Sequence, residues 1–216
     1  MIEHKGATSH KDVGVFYNSK YKDAGYEAFS NKDRRVYLDL LEKFGGKFTT
    51  GMSVLDAGCG HGEFIACFPT FMKRIGVDAS SEAVNLAKKR FSHDALVSII
   101  ECDIEEIDEI LGKEGAFDYI SCLGVIEHTM NPKRAFDKMM RLITPGGVFL
   151  VLVPLEFEDC LGQLRNESNQ VTNERFATTT QWIDFFGAEN LVHYEVLGSG
   201  TSKDIALIYI SKGENN

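Results

Sequence analysis

The sequence is poor in proline, with four in 216 residues, and carries a single tryptophan. No repeat, low-complexity tract or linker rich in Pro, Gly or Ser interrupts it. Cysteine is sparse and unpaired in pattern. The five, Cys59, Cys67, Cys102, Cys122 and Cys160, contain no C-x-x-C spacing, which removes zinc ribbons and thioredoxin-type redox sites. Long apolar runs are absent as well: the longest, Val148 to Val153, ends at Pro154 and is strand length, so no membrane span is expected. Basic residues are in deficit, 23 against 32 acidic, for a net charge of −9. That deficit argues against a broad grip on nucleic acid or on an anionic membrane.

What is present is ordinary globular material, 44% hydrophobic and 25% charged, which excludes disorder, collagen and coiled coil. The length suits one compact domain, 1–216. The opening Met1-Ile2-Glu3-His4-Lys5-Gly6 has no apolar core of a signal peptide, and the thiols fit a reducing compartment, so a cytoplasmic protein is expected. Cys102 and Cys122 sit near the ends of apolar runs and read as small hydrophobes.

Along the chain, residues 1–45 form an expected helical cap on the fold. Aromatic residues Phe16, Tyr17, Tyr21, Tyr26 and Phe29 come first, then a helix from Asp33 to Phe44 that Gly45-Gly46 ends. Short apolar runs then alternate with amphipathic helices. Strands are expected at Ser53-Val54-Leu55, Ile75-Gly76-Val77, Leu96 to Ile100, Phe117 to Leu123 and Val148 to Val153. A short helix through Phe64, Ile65 and Phe68 follows the first strand, and one through Val84, Ala87 and Phe91 the second. Asn131 and Pro132 open the clearest helix, with a stripe of Ala135, Phe136, Met139, Met140 and Ile143, which Thr144-Pro145-Gly146-Gly147 stops. The β-α alternation predicts an α/β, Rossmann-like three-layer sandwich with a mostly parallel sheet. Residues 155–177 read as a polar insertion after strand five. A helix near Thr178 to Phe186 precedes Leu191 to Leu197 and Ile205 to Ile210, two strands close enough for an antiparallel C-terminal hairpin.

The strongest motif is Val54-Leu55-Asp56-Ala57-Gly58-Cys59-Gly60-His61-Gly62-Glu63-Phe64. A strand ends in an acid, and alternate glycines then let a ligand approach the backbone before a helix begins. The dinucleotide fingerprint G-x-G-x-x-G is missed, because the third glycine, Gly62, comes one position early. Pyrophosphate favours bare N–H groups, whereas Asp56 suits a ligand with an amino group. Asp78 ends the second strand, placed to accept from ribose hydroxyls or, more simply, to cap the next helix, for which Ser80 and Ser81 are also available. Asp103 follows the third strand and suits an adenine amino group. Three acids at successive strand ends point at one crevice.

From Met52 to Val153 these motifs resemble class I S-adenosylmethionine-dependent methyltransferases, whose seven-stranded sheet the terminal hairpin would fit. The resemblance implies S-adenosylmethionine as cofactor, S-adenosylhomocysteine as product, and Asp56, Gly58, Cys59, Gly60, Asp78, Ala79, Asp103, Ile104 and Leu123 around them. Leu123-Gly124-Val125-Ile126-Glu127-His128 with Pro145-Gly146-Gly147 is similar to the small-molecule branch of the ubiquinone-biosynthesis type. In related enzymes of that type an earlier glutamate joins the Glu-His pair around a metal; Gly124 stands there, and no metal is expected. The implied activity is methyl transfer to an O or N atom of a small-molecule acceptor, with His128 as base. Tyr17, Tyr21, Tyr26 and Arg165 are the substrate-side residues in this reading, Trp182 core. His61 is expected to line the glycine loop. A dehydrogenase, a non-catalytic cofactor-binding subunit or sensor, and a protein or nucleic-acid methyltransferase are the competing readings; N-P-P-Y and Pro-Cys motifs are absent.

Overall fold

The computed structural model describes residues 10–23, 31–112, 117–155, 178–197 and 205–211. Tyr26, Cys160 and Arg165 lie outside them, as does nearly all of the 155–177 insertion. Strands β1 (Ser53–Ala57), β2 (Lys73–Asp78), β3 (Val97–Glu101), β4 (Phe117–Leu123) and β5 (Ile143–Pro154) are parallel in the order β3-β2-β1-β4-β5. Beyond β5 the sheet continues through β7 (Ile205–Ser211), antiparallel to β5, to β6 (Leu191–Leu197) at the edge.

Side-chain alternation along the strands divides the core between the two faces. Leu55, Ile120, Phe149 and Val151 join Phe136 and Met139 of α5 (Pro132–Leu142) and Trp182 and Phe186 of α6 (Thr179–Phe186). On the other face Val54, Tyr119 and Leu150 pack with Leu40, Leu41 and Phe44 of α2 (Asn31–Phe44). Trp182 is fully buried, and its indole N–H donates to the Pro154 carbonyl at 3.0 Å. It is core, as its sequence context suggested. Two more helices complete the set, α3 (Ser81–Arg90) and α4 (Ile107–Leu111), after α1 (His10–Asp23) at the start.

Four local expectations are corrected. The helix through Phe64 and Phe68 is only a 3-10 turn, Ile65–Cys67, because Pro69 forces Phe68 into an extended conformation (ψ 150°). Strand five starts at Ile143, not Val148. Ile143 pairs with Phe117, the register then shifts, and Thr144-Pro145-Gly146-Gly147 becomes an irregular strand start. Ile143 therefore leaves the α5 stripe, where Leu142 is buried instead. The third strand begins at Val97, one residue late. α5 itself opens as expected: the Asn131 side chain accepts from the Arg134 N–H at 3.0 Å, with Pro132 in the first turn.

Candidate active site

β1, β2 and β3 end together at their carboxyl edges, and β4 ends next to β1 on the other side. Chain direction around the sheet reverses between β1 and β4, which opens a crevice at the strand ends. A cavity of about 240 Å³ lies there. Asp56, Asp78 and Asp103, one from each strand end, all line it. So do Gly58, Cys59, Gly60, Ala79, Ile104 and Leu123, every residue expected on the nucleotide side.

The glycine loop takes a path closed to other residues. Gly58, Gly60 and Gly62 have φ of +80°, +53° and +85°. The Gly58 and Cys59 N–H groups both donate to the Val77 carbonyl, at 2.8 and 2.9 Å, which folds the loop over the end of β2. The Gly60 N–H donates to Asp78 Oδ2 at 2.8 Å, and Ser80 N–H donates to Asp78 Oδ1 at 2.8 Å. The cap of α3 is Ser80, whose hydroxyl accepts from the Ala83 N–H at 3.2 Å. Asp78 thus ties the loop to the following turn and leaves capping to Ser80.

Charge in the cavity is set by burial. Asp56 is 3% exposed, and loss of water raises its pKa to about 7; the nearby Asp78 carboxylate pushes the same way, while the Ser121 hydroxyl, donating at 2.7 Å, opposes. Asp78 is also raised by burial, against its two N–H bonds. A cationic amino group beside Asp56 would stabilise the carboxylate that burial penalises, so the donor set fits an amino-acid-bearing nucleoside. Asp103 accepts from the Glu105 N–H at 2.9 Å, capping a 3-10 turn while lining the cavity. Cys59 is held as a neutral thiol, its pKa pushed well up by burial and by Asp56 and Asp78.

His128 lies on a 3-10 turn after β4, is 8% exposed and lines the same cavity. Its Nε2 is 3.8 Å from Glu127 Oε1, and the Tyr17 ring meets it edge-on at 5.9 Å. Tyr21 lines the cavity too; a Cβ placed on Gly60 would come within 2.5 Å of its hydroxyl. His61 is beside it, lining the cavity with Nε2 at 3.4 Å from Glu63. Glu63 also holds Arg90 at 2.5 Å. Burial lowers the His61 pKa, partly offset by Glu63.

Sequence reasoning missed several lining residues. Tyr37 was visible only as part of a helix stripe; it packs on Phe64 at 5.2 Å and faces the cavity as well. Thr129 and Met130 follow His128 without a motif. Among the described residues, no group of three His, Cys, Asp or Glu side chains is placed for a metal ion. No described helix is long and apolar enough to cross a membrane.

Comparison with known proteins gives the family. A family model described as a methyltransferase domain matches residues 29–194. The chain belongs to that family and is a class I S-adenosylmethionine-dependent methyltransferase domain. A ubiquinone biosynthesis O-methyltransferase of Coxiella burnetii is 28% identical over 184 residues, covering 74% of this chain and 76% of that protein. Another relative, an uncharacterized protein of Synechococcus, is spanned over only 25% of its length. In fold, the [4+2]-cyclase SpnF superposes with a TM-score of 0.77 at 16% identity, over 99% of this chain and 100% of that one. The N-methyltransferase NodS of Bradyrhizobium japonicum WM9, solved with S-adenosyl-L-homocysteine, gives 0.64 at 18%, over 88% and 90%.

Proposed function

We propose that the protein transfers a methyl group from S-adenosylmethionine to an oxygen or nitrogen of a small-molecule acceptor. One observation carries the reading: a single cavity is lined both by the three strand-end acids and by His128 with Tyr17. When bound, S-adenosylmethionine supplies an electrophilic methyl group on a sulfonium. The chain supplies the rest. Asp56 faces the amino group, Asp78 the ribose hydroxyls and Asp103 the base, while the glycine loop gives the close approach. Tyr17 and Tyr21 wall the site against water and, through ring faces, favour positive charge by about 0.5–2 kcal/mol. His128 takes the acceptor's proton when that acceptor is a hydroxyl. In the same reading, β6 and β7 form the hairpin that completes the family's seven-stranded sheet, supported by their antiparallel register. A small acceptor is supported by the named activity of the Coxiella relative.

The test has two arms. S-adenosylhomocysteine should raise the melting temperature while NAD does not, and a panel of phenols and amines should release S-adenosylhomocysteine from S-adenosylmethionine. Stabilisation by NAD alone overturns the reading. Binding without release for any acceptor favours the second reading, a cofactor-binding subunit without methyl transfer, since a fold does not by itself fix a reaction.

A further inference from the structure

We propose that Asn18 is a positioning residue that locks the aromatic helix α1 onto the cofactor-binding turn. α1 supplies Tyr17 and Tyr21 to the cavity wall, and Asn18 lies between them in sequence. Asn18 itself is not among the residues lining the cavity. Its Oδ1 reaches instead the start of α3, 62 to 64 residues away. There it accepts from the Ser80 hydroxyl at 2.7 Å, the Glu82 N–H at 3.2 Å and the Ser81 hydroxyl at 3.4 Å.

The first turn of a helix has N–H groups without partners inside the helix. At α3 the Ala83 N–H is taken by the helix's own cap, Ser80, and the Glu82 N–H by Asn18 of another helix. The capping of α3 is therefore shared between local sequence and α1. Ser80 is the junction. Its N–H is bound by Asp78, whose other oxygen binds the Gly60 N–H, and its hydroxyl is bound by Asn18. From Asn18 the helix leads to Tyr21, whose hydroxyl stands over Gly60. The contacts close a ring: glycine loop, ribose acid, α3 start, Asn18, α1, and back to the glycine loop.

Two further contacts hold the same seam. Lys22 pairs with Glu82 at 3.2 Å, and Gly14 lies against the Ala79 carbonyl, where an added Cβ would sit at 3.1 Å. Lys22 is exposed and its pair adds little. Asn18 is half-buried and makes the inter-helix bonds at the turn that carries Asp78 and Ala79. Setting α1 there fixes where Tyr17 meets His128. Asn18 touches neither cofactor nor acceptor in this arrangement; it acts through Tyr17, Tyr21 and Ser80.

All three contacts use the side-chain oxygen as an acceptor, and this dictates the test. Asn18→Ala removes the acceptor, whereas Asn18→Asp keeps one. The proposal rests on the functional reading above, so the experiment has one arm that needs the ligand and one that does not. Amide hydrogen exchange of the full chain should show α1 losing protection in Asn18→Ala while β1, β4 and β5 keep theirs, with protection regained in Asn18→Asp. Calorimetry with S-adenosylhomocysteine should show affinity falling about tenfold in Asn18→Ala, as expected for losing hydrogen bonds worth roughly 1.4 kcal/mol together, and recovering in Asn18→Asp. Unchanged α1 protection in Asn18→Ala overturns the proposal, as does unchanged affinity in a protein whose wild type binds. Should the wild type bind no S-adenosylhomocysteine, it is the functional reading that fails, and the exchange arm alone decides the role of Asn18. Loss in Ala without recovery in Asp, which restores both the size and the acceptor oxygen of the side chain, means that acceptance by that oxygen does not hold α1, and this too overturns it.

Discussion

At the residue scale, Asp56 is an acid that folding makes hard to ionise. Its ordinary pKa of 3.8 rises to about 7, chiefly through burial and further through the Asp78 charge. The sign of the consequence follows from proton binding. Between pH 3.8 and about 7 the folded free protein holds a proton that the unfolded chain has released. The contribution of Asp56 to stability is full below the lower value and is lost as pH rises through the upper one. Asp56→Asn, which stays neutral, should flatten that part of the stability–pH curve measured by denaturant unfolding. A curve of unchanged slope would remove burial as the controlling effect. In the proposed complex the same chemistry runs in reverse: a cationic amino group draws the proton off Asp56. Uptake of S-adenosylhomocysteine at about pH 6 should then release a proton, read by calorimetry in buffers of different ionisation enthalpy.

Elements impose constraints that no single side chain shows. The glycine loop is held by its exit from β1, by the Val77 carbonyl and by the turn after β4, where Val125 packs against Gly58. At φ +80° a Cβ on Gly58 is strained, and it would also overlap the Val125 side chain. Gly58→Ala should cost about 1–3 kcal/mol in chemical denaturation. Adding Val125→Ala removes the two methyl overlaps but keeps the Cβ contact at 2.9 Å, so it should recover part of the cost relative to Val125→Ala alone; no recovery would mean that the methyl overlaps contribute nothing. This loop was legible in the sequence because its signal is local, an acid and alternating glycines at a strand end. Features that depend on distant partners were not. Asn18 finds its acceptor role on α3, Pro69 cuts short a helix that the apolar spacing promised, and Ile143 joins the sheet because Phe117 is beside it. Tyr37 reads as core because its helix stripe is apolar, yet packing on Phe64 turns it toward the cavity.

For the whole molecule, the decisive fact is that the sheet brings together residues from both sides of its reversal point. β1, β2 and β3 deliver the acids, and β4 delivers Leu123 and the turn bearing His128. The sequence pointed to that crevice through the three acids at successive strand ends; the strand order explains it, since ligands bind where the order of parallel strands reverses at their carboxyl ends. Fold does not choose the reaction, and His128 is where the choice can be read. A hydroxyl acceptor must lose its proton as the methyl arrives, and a positioned base is worth about 10²–10⁴ in rate. With such an acceptor, His128→Ala should cut kcat by that order, leave the affinity for S-adenosylhomocysteine nearly intact and remove the acid limb of the pH–rate profile. With an amine already deprotonated in solution, alignment carries the reaction and the same change should cost far less. His128 is nearly buried, with Glu127 at 3.8 Å and Tyr17 against its ring, and it lines the cavity. A loss of turnover matched by an equal loss of S-adenosylhomocysteine affinity would assign His128 to the wall of the site, and the proton would then have to leave by another route.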